Sequence, residues 1–537
     1  MAHVLSVLVI ASFCRPCRAV SIFPASVRAQ AVAETQARGA SLTAAQLRQR
    51  CVERAHALRH ANKIYVEGSD CPAPLTAFAD LAEAPFAVPA FLVRNIASCR
   101  YDEPTPIQMQ SIPIMLARRD MIACAPTGSG KTAAYLIPIF ATLKAPGASG
   151  FRAVVMAPTR ELSAQIAREA ERLAAGRPFR IQHLTKANAQ QAGGGGGNDG
   201  ESSGGKHDVL ITTPMRLVHL VRAGSVDLAH VELLILDEAD RLLELDSGFA
   251  EQVDEVFAAC AHPRLVRALF SATMLPGIEE LARTVLHDPL RVTIGVRNSA
   301  TENIAQRLLF AGDEAGKLLA VRQLVREGIK PPVLIFVQSI ERARHLFHEL
   351  VYDGINVDVI HAERTQAQRD SIIQNFRLGK IWMLICTDLM ARGIDFKGVH
   401  CVLNYDFPQS VVSYIHRIGR TGRAGRKGEA ITLYTEEDSD YLRSIANVMK
   451  LSGCEVPDWM LQLRKQSRKD KQYLAKHAPS RDSIRTATRI DRVQGARNKK
   501  RLLGKVGYQE RPKTAGQASA GGADGGGAGG ASAQDDE

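Results

Sequence analysis

The sequence predicts an α/β protein of two parallel-sheet lobes in series, joined by a short hinge. Three observations carry this reading. Short β-branched or apolar runs alternate with amphipathic helical stretches, the pattern of parallel strands joined by crossover helices. The alternation stops at a weakly structured stretch, residues 297–301, and then restarts. The 537 residues, 45% apolar and 23% charged, supply enough apolar surface for two or three cores.

The first 74 residues read as an extension, disordered in part. Residues 1–33 hold no Asp or Glu but carry Arg15, Arg18 and Arg28, so an organelle transit segment and a plain acid-poor extension both stay open. The apolar run 4–13 is too short to cross a bilayer, and no membrane association is expected. Ten cysteines lack an even framework of short spacings, and the close pair Cys14 and Cys17 has no second pair to complete a zinc site. A reducing compartment and no structural metal are the expectations.

The first lobe is expected over residues 75–296, with buried strands at "MIACA" (121–125), "AVVMAP" (153–158), "DVLITTP" (208–214), "LLILDEAD" (233–240) and "RALFSAT" (267–273). The glycine-rich stretch 190–208 reads as a surface insertion, because no sheet could absorb it. The second lobe is expected over 302–455, with strands at "VLIFVQS" (333–339), "VDVIHA" (357–362), "WMLICTD" (382–388), "CVLNYD" (401–406) and "AITLYT" (430–435). Residues 456–537 read as a disordered tail, basic and then Gly-rich. Within it, residues 464–513 hold 17 Lys or Arg against four acids, which accounts for the whole chain's +12. Such a run neutralises phosphates without reading sequence.

The stretch "CAPTGSGKTAA" (124–134) follows a strand and opens a helix, the setting in which a loop binds phosphate. Ala125, Thr127, Gly128, Ser129 and Gly130 form the cradle; the two glycines let the backbone approach the oxygens. Lys131 supplies charge, and the Thr132 hydroxyl can ligate Mg²⁺. Asp237 and Glu238 stand at the tip of a strand about a hundred residues on. One carboxylate can hold Mg²⁺ there while the next orients and deprotonates water. Nucleoside triphosphate hydrolysis is the reaction implied. In "RYDEPTPIQ" (100–108), Tyr101 offers a stacking face and Gln108 an amide that can pair with the N6 and N7 edge of adenine, which favours ATP.

Together these stretches resemble the DEAD-box RNA helicases of helicase superfamily 2 over about residues 75–455. The family's elements occur in its order: "PTPIQ", "APTGSGKT", "APTREL" (157–162), "TPMR" (213–216), "DEAD" (237–240), "SAT" (271–273), "QAQR" (366–369), "TDLMARGID" (387–395) and "HRIGRTGR" (416–423). The resemblance implies two RecA-like lobes. It implies that Arg420 and Arg423 act as arginine fingers and that Asp395 contacts ribose. Asp240, Ser271, Thr273 and His416 are similar to the residues that couple hydrolysis to RNA. Thr159, Arg160, Thr213, Arg216, Gln366, Arg369 and Thr387 resemble the RNA-backbone contacts.

The chain departs from the general phosphate-loop pattern once and from the family's own pattern in three places. Ala125 stands where the general phosphate loop has its first Gly, Arg100 replaces the Gly before the stacking aromatic, and Met215 replaces the Gly of "TPGR". Residues 190–208 fall where the family has an RNA-touching Gly-Gly doublet. Within the family, "VDVIHAERTQAQRD", "GKIWMLICTDLMARGIDFKGV" and "LRSIANVMKLSGCEVPDW" are similar to the nucleolar branch that acts on small-subunit ribosomal RNA precursors. That implies pre-ribosomal RNA and assembly proteins as partners of a monomer. An organellar RNA helicase, an ATP-gated RNA clamp without unwinding, and a DNA translocase are the alternatives.

Overall fold

The computed structural model describes residues 43–147, 150–185, 207–244, 248–274, 276–296, 301–388, 398–423 and 425–467. It also describes residues 23, 24, 26, 27, 29, 396, 470, 474, 479, 481 and 484. Most of the expected hinge at 297–301, most of the glycine-rich insertion, Cys14, Cys17 and most of the transit-like residues 1–33 lie outside this set. No helix among the described residues is long and apolar enough to cross a membrane.

The first sheet has eight strands: β1 (Ile64–Glu67), β2 (Met121–Cys124), β3 (Ala153–Met156), β4 (Ile181–His183), β5 (Val209–Thr212), β6 (Leu233–Asp237), β7 (Val266–Ser271) and β8 (Leu290–Ile294). Their spatial order is β1-β8-β2-β7-β6-β3-β5-β4. All pairs are parallel except β1 against β8. Strands covered on both faces favour near-continuous apolar runs, as β2 (MIAC), β3 (AVVM) and the first four residues of β6 (LLIL) have. Along β3 and β6, Val155 and Ile235 join one core while Val154 and Leu234 join the other. The two faces follow from the twofold repeat of a strand.

The second sheet has six parallel strands: β9 (Ile304–Phe310), β10 (Val333–Val337), β11 (Val357–Ile360), β12 (Met383–Thr387), β13 (Cys401–Asn404) and β14 (Gly428–Tyr434). Their order is β11-β12-β10-β13-β14-β9. Along β10 the same alternation holds. Val333, Ile335 and Val337 face one core, and Leu334 and Phe336 the other. Because every strand is parallel, all the carboxyl ends of this sheet lie on one edge.

Both ends of the chain hold more structure than the charge and composition pattern suggests. Residues assigned to the N-terminal extension supply a helix, Ala44–Ala61, opened by a capping box between Thr43 and Gln46, and the edge strand β1. Phe23 and Val27 are buried against that helix with Cys51 and Ala55. At the other end, described residues of the basic stretch pack on the second lobe. Leu474 packs on the second lobe, Ile484 joins its core, and Arg481 is buried among carboxylates. A count of charges does not distinguish a solvated arginine from one that enters a lobe with its charge matched.

Candidate nucleotide and RNA site

The phosphate loop starts where β2 ends and runs into the helix Lys131–Leu143. Gly130 caps that helix at φ +88°, and a Cβ there would come within 2.6 Å of Gln108 Nε2. Glycine is therefore required twice over, by conformation and by space. Lys131 folds back into the loop, its Nζ donating to Ala125 O at 2.7 Å and Pro126 O at 2.9 Å. Burial lowers its pKa, and the negative charge of Asp237 opposes that shift.

Asp237, at the tip of β6, accepts hydrogen bonds from Tyr135 Oη and from Glu238 N, both at 2.9 Å. The Thr132 side chain lies close enough to the Tyr135 hydroxyl to favour its ionised form, which places the Thr132 hydroxyl near the carboxylate. Burial pushes the Asp237 carboxyl up to about 6 against the pull of Lys131. A carboxylate and a hydroxyl, both oxygen donors, fit a hard cation that takes its other ligands from phosphate and water. Glu238 follows at φ +50°, a strained conformation for a side chain of this kind. Its Oε2 is buried and accepts no hydrogen bond, while its Oε1 lies 4.0 Å from Arg420 Nη2. An orphaned acceptor in a strained turn is costly unless a reactant uses it.

The two lobes meet across this loop. Thr127 Oγ1 donates to Gly419 O at 3.1 Å, and Arg423 packs over Gly128. Both finger candidates are steadied by the turn before them: Arg420 Nε donates to His416 O at 3.1 Å and Arg423 Nε to Gly419 O at 2.8 Å. A polar chain crosses the seam beside them. Ser271 Oγ donates to Thr273 O at 2.6 Å, Thr273 Oγ1 bonds Asp240, and Asp240 Oδ2 lies 2.7 Å from His416 Nε2. His416 holds the Asp240 carboxyl well below the usual carboxylate range, outweighing the opposite effect of burial. Farther along, Arg369 of the second lobe pairs with Glu161 of the first at 2.7 Å.

Two family models match the chain: "DEAD/DEAH box helicase" over residues 105–281 and "Helicase conserved C-terminal domain" over 316–425. A probable ATP-dependent RNA helicase of Mus musculus, DDX52, is 48% identical over 461 residues, covering 85% of this chain and 76% of the relative. The chain belongs to the DEAD-box ATP-dependent RNA helicases. The helicase is also 45% identical over 479 residues to the ATP-dependent RNA helicase ROK1 of Eremothecium gossypii, covering 87% and 82% of the two chains. Among solved structures, it is similar to S. cerevisiae Dbp5 bound to RNA and ADP BeF3. The TM-score is 0.61 at 26% identity, over 74% of this chain and 99% of that one. Two RecA-like lobes are thus the helicase fold, and ATP hydrolysis on RNA is its activity.

The expected RNA contacts are distributed over both lobes of the helicase. Thr159 caps the helix Arg160–Leu173, accepting from Leu162 N at 3.3 Å, and Thr213 begins the helix Pro214–Arg222. Arg160 is exposed, and its charge together with burial lowers the pKa of Arg216, so two like charges share this edge. In the second lobe, exposed Gln366 opens the helix Gln366–Arg377, and Thr387 closes β12, buried. Asp395 lies outside the described residues. Gln108 is buried with both ends of its amide in use: Oε1 accepts from Thr105 N at 3.0 Å, and Nε2 donates to Gly130 O at 3.1 Å. Each end keeps one further bonding position for a base. Tyr101 is partly exposed and its hydroxyl bonds Glu169.

Sequence reasoning missed several groups that shape the helicase site. Glu161 lies inside the "APTREL" stretch but shows its partner only when the lobes are apposed. His183 sits at 2.9 Å from Ser163 Oγ, and burial with the nearby Arg216 and Arg168 lowers its pKa. That adds Arg168 to the basic edge. Arg417, inside "HRIGRTGR", is fixed by Asp388 at 2.7 Å and by Asp406 O at 2.7 Å, and so holds the helix Val411–Ile418 onto the ends of β12 and β13.

Proposed function

We propose that this helicase hydrolyses Mg²⁺-ATP between its lobes and uses the resulting closure to strain RNA out of short duplexes, acting as a monomer on small-subunit ribosomal RNA precursors in the nucleolus. The observation that carries the mechanism is the continuous chain Ser271, Thr273, Asp240, His416 running across the seam, beside the orphaned Glu238 Oε2. Only a closed molecule completes this chain, so closure and catalysis are one event.

In this reading, Lys131 leaves the loop carbonyls for the β- and γ-phosphates. Glu238 Oε2 orients the attacking water and takes its proton. Arg420 and Arg423 neutralise charge on the transferring phosphoryl group, which the first lobe cannot do alone. Thr132 and Asp237 would hold Mg²⁺, which supplies Lewis-acid stabilisation of the phosphate oxygens. Gln108 reads adenine, Tyr101 stacks on it, and Asp395 contacts ribose. Thr159, Arg160, Thr213 and Arg216 on one lobe, with Gln366, Arg369 and Thr387 on the other, grip the RNA backbone. Their track is continuous only when the lobes are closed. Base edges play no part, so target choice comes from elsewhere.

The three stretches that resemble the small-subunit branch support the ribosomal target and the nucleolar location. Crosslinking in cells followed by sequencing of the bound RNA, paired with strand displacement in vitro, tests both parts. Reads from small-subunit precursor and ATP-dependent displacement are expected. Reads from organellar transcripts would replace the target and compartment. ATP-dependent RNA binding without displacement would make the protein a clamp.

A further inference from the structure

The carboxyl edge of the second sheet holds a buried charge cluster that ATP hydrolysis does not use. Glu314 pairs with Lys317 and with Arg342, both at 2.6 Å, and Arg342 also holds Asp406 at 2.6 Å. Lys317 has no exposed side-chain surface and lies 3.9 Å from Asp406. Into this cluster comes Arg481 from the basic tail, its side chain 1% exposed. Its guanidinium reaches Glu314 at 3.0 Å, Asp438 at 2.6 Å and Gln338 Oε1 at 3.0 Å, and Gln338 Nε2 donates back to Pro479 O at 3.1 Å. Three residues on, Ile484 is buried in the same lobe's core.

The charges balance only with the tail in place. Glu314, Asp406 and Asp438 face Lys317, Arg342 and Arg481; without Arg481 one buried carboxylate loses its cation, and such a loss is strongly unfavourable. The location matters as much as the balance. Val337 at the end of β10 pairs in register with Thr387 at the end of β12, so Gln338 stands one residue beyond that pair, a strand's width from a proposed RNA contact. The chain beyond Ile484 carries ten Lys or Arg against two acids over residues 485–513.

We infer that Arg481 is a positioning residue for RNA binding: it latches the root of the basic arm to the RNA-facing edge of the second lobe, so that the arm's charge is delivered where the backbone track runs. The inference rests on the proposed RNA track. Tethering raises the arm's effective concentration at that track without adding a contact to the reacting phosphates. It therefore acts on the RNA concentration the enzyme needs and leaves the rate at saturation unchanged.

The test uses the full-length protein and RNA-stimulated ATPase with a single-stranded homopolymeric RNA. Arg481→Ala should raise the half-saturating RNA concentration by about three- to tenfold with the plateau rate unchanged. Arg481→Lys should recover part of the loss, since it restores charge but not the fork. Deleting residues 485–537 should raise the half-saturating concentration at least as much. A variant with a long Gly-Ser linker inserted after Ile484 keeps the latch and the fold, and should also need more RNA. The latch is overturned if deletion raises the RNA requirement while Arg481→Ala and the linker do not, because the arm then works untethered. A deletion without effect overturns the RNA-binding arm itself and the latch with it. A plateau rate that falls with affinity unchanged makes Arg481 a structural residue only.

Discussion

In the first lobe, the strands that end nearest the seam close on Asp237, pushed up to about 6 by burial, on a strained Glu238 with an orphaned oxygen, and on Lys131, turned into its own loop. In the second lobe, the corresponding edge closes on Glu314, Asp406 and Asp438, each matched by a cation. Burial would raise the Glu314 carboxyl, but Lys317 and Arg342 hold it at about 2. The same topological position is thus solved in opposite ways. Open α/β sheets bind ligands at the carboxyl ends of their strands. One lobe leaves polar groups there in need of a reactant, and the other satisfies them internally and spends its rigidity on presenting Arg420, Arg423 and His416 across the gap.

The largest effect expected from breaking this contrast is on the satisfied side. Arg342→Ala removes one partner from a buried cluster, and such truncations cost about 3–5 kcal/mol. The second lobe should then melt first in a thermal scan. A single melting transition at the wild-type temperature would mean the cluster is not structural. Acid sharpens the point. Glu314 titrates lower in the folded lobe than in the unfolded chain, so its stabilisation is present above the ordinary carboxylate pKa and fades as pH falls toward about 2. The variant should lose part of that acid dependence, measured as melting temperature against pH.

A smaller effect is expected at the seam. A Cβ on Gly419 would lie 1.9 Å from Thr127 Oγ1 and 2.9 Å from Thr127 Cβ. The same Cβ would lie 2.9 Å from Ile415 O in its own lobe; Gly419→Ala should therefore hold the lobes apart by the overpacking cost of about 1–3 kcal/mol, lowering RNA-stimulated ATPase and leaving the first lobe's melting unchanged. Wild-type stimulation would show that the seam closes along another path. On the unsatisfied side, Gln108→Ala should weaken ATP more than GTP by on the order of 1–3 kcal/mol, read by titration calorimetry. An equal loss for both would assign Gln108 to holding Gly130 and Thr105 alone.

Much of this contrast is legible in the chain, and the illegible part has a physical cause. The buried central strands announce themselves as continuous apolar runs. The strands that escape notice are β1, β4 and β9, all at sheet edges, and β8. In β9 the pair Gln306 and Arg307 interrupts the apolar run, and in β8 the buried Arg291 does the same. The loop and carboxylates of the first lobe are local in sequence and can be read as strings. The pairs Glu161 with Arg369, Thr127 with Gly419, and Arg481 with Glu314 join residues more than 160 positions apart. No window of sequence contains both members, so only the fold reveals them.

The central claim is that a γ-phosphate, held on the unsatisfied edge, draws the arginines of the satisfied lobe into the grip on RNA. Glu238→Gln tests it most directly. The substitution keeps the side chain's shape, removes the proposed base, and should slow hydrolysis by about 10²–10⁴, while Asp237 and Lys131, the proposed nucleotide ligands, are unchanged. The decisive reading is the off-rate of a labelled single-stranded RNA from this variant in ATP and in ADP. The account predicts markedly slower release in ATP, because Arg420 and Arg423 still have a γ-phosphate to close upon. Equal off-rates in the two nucleotides would contradict it.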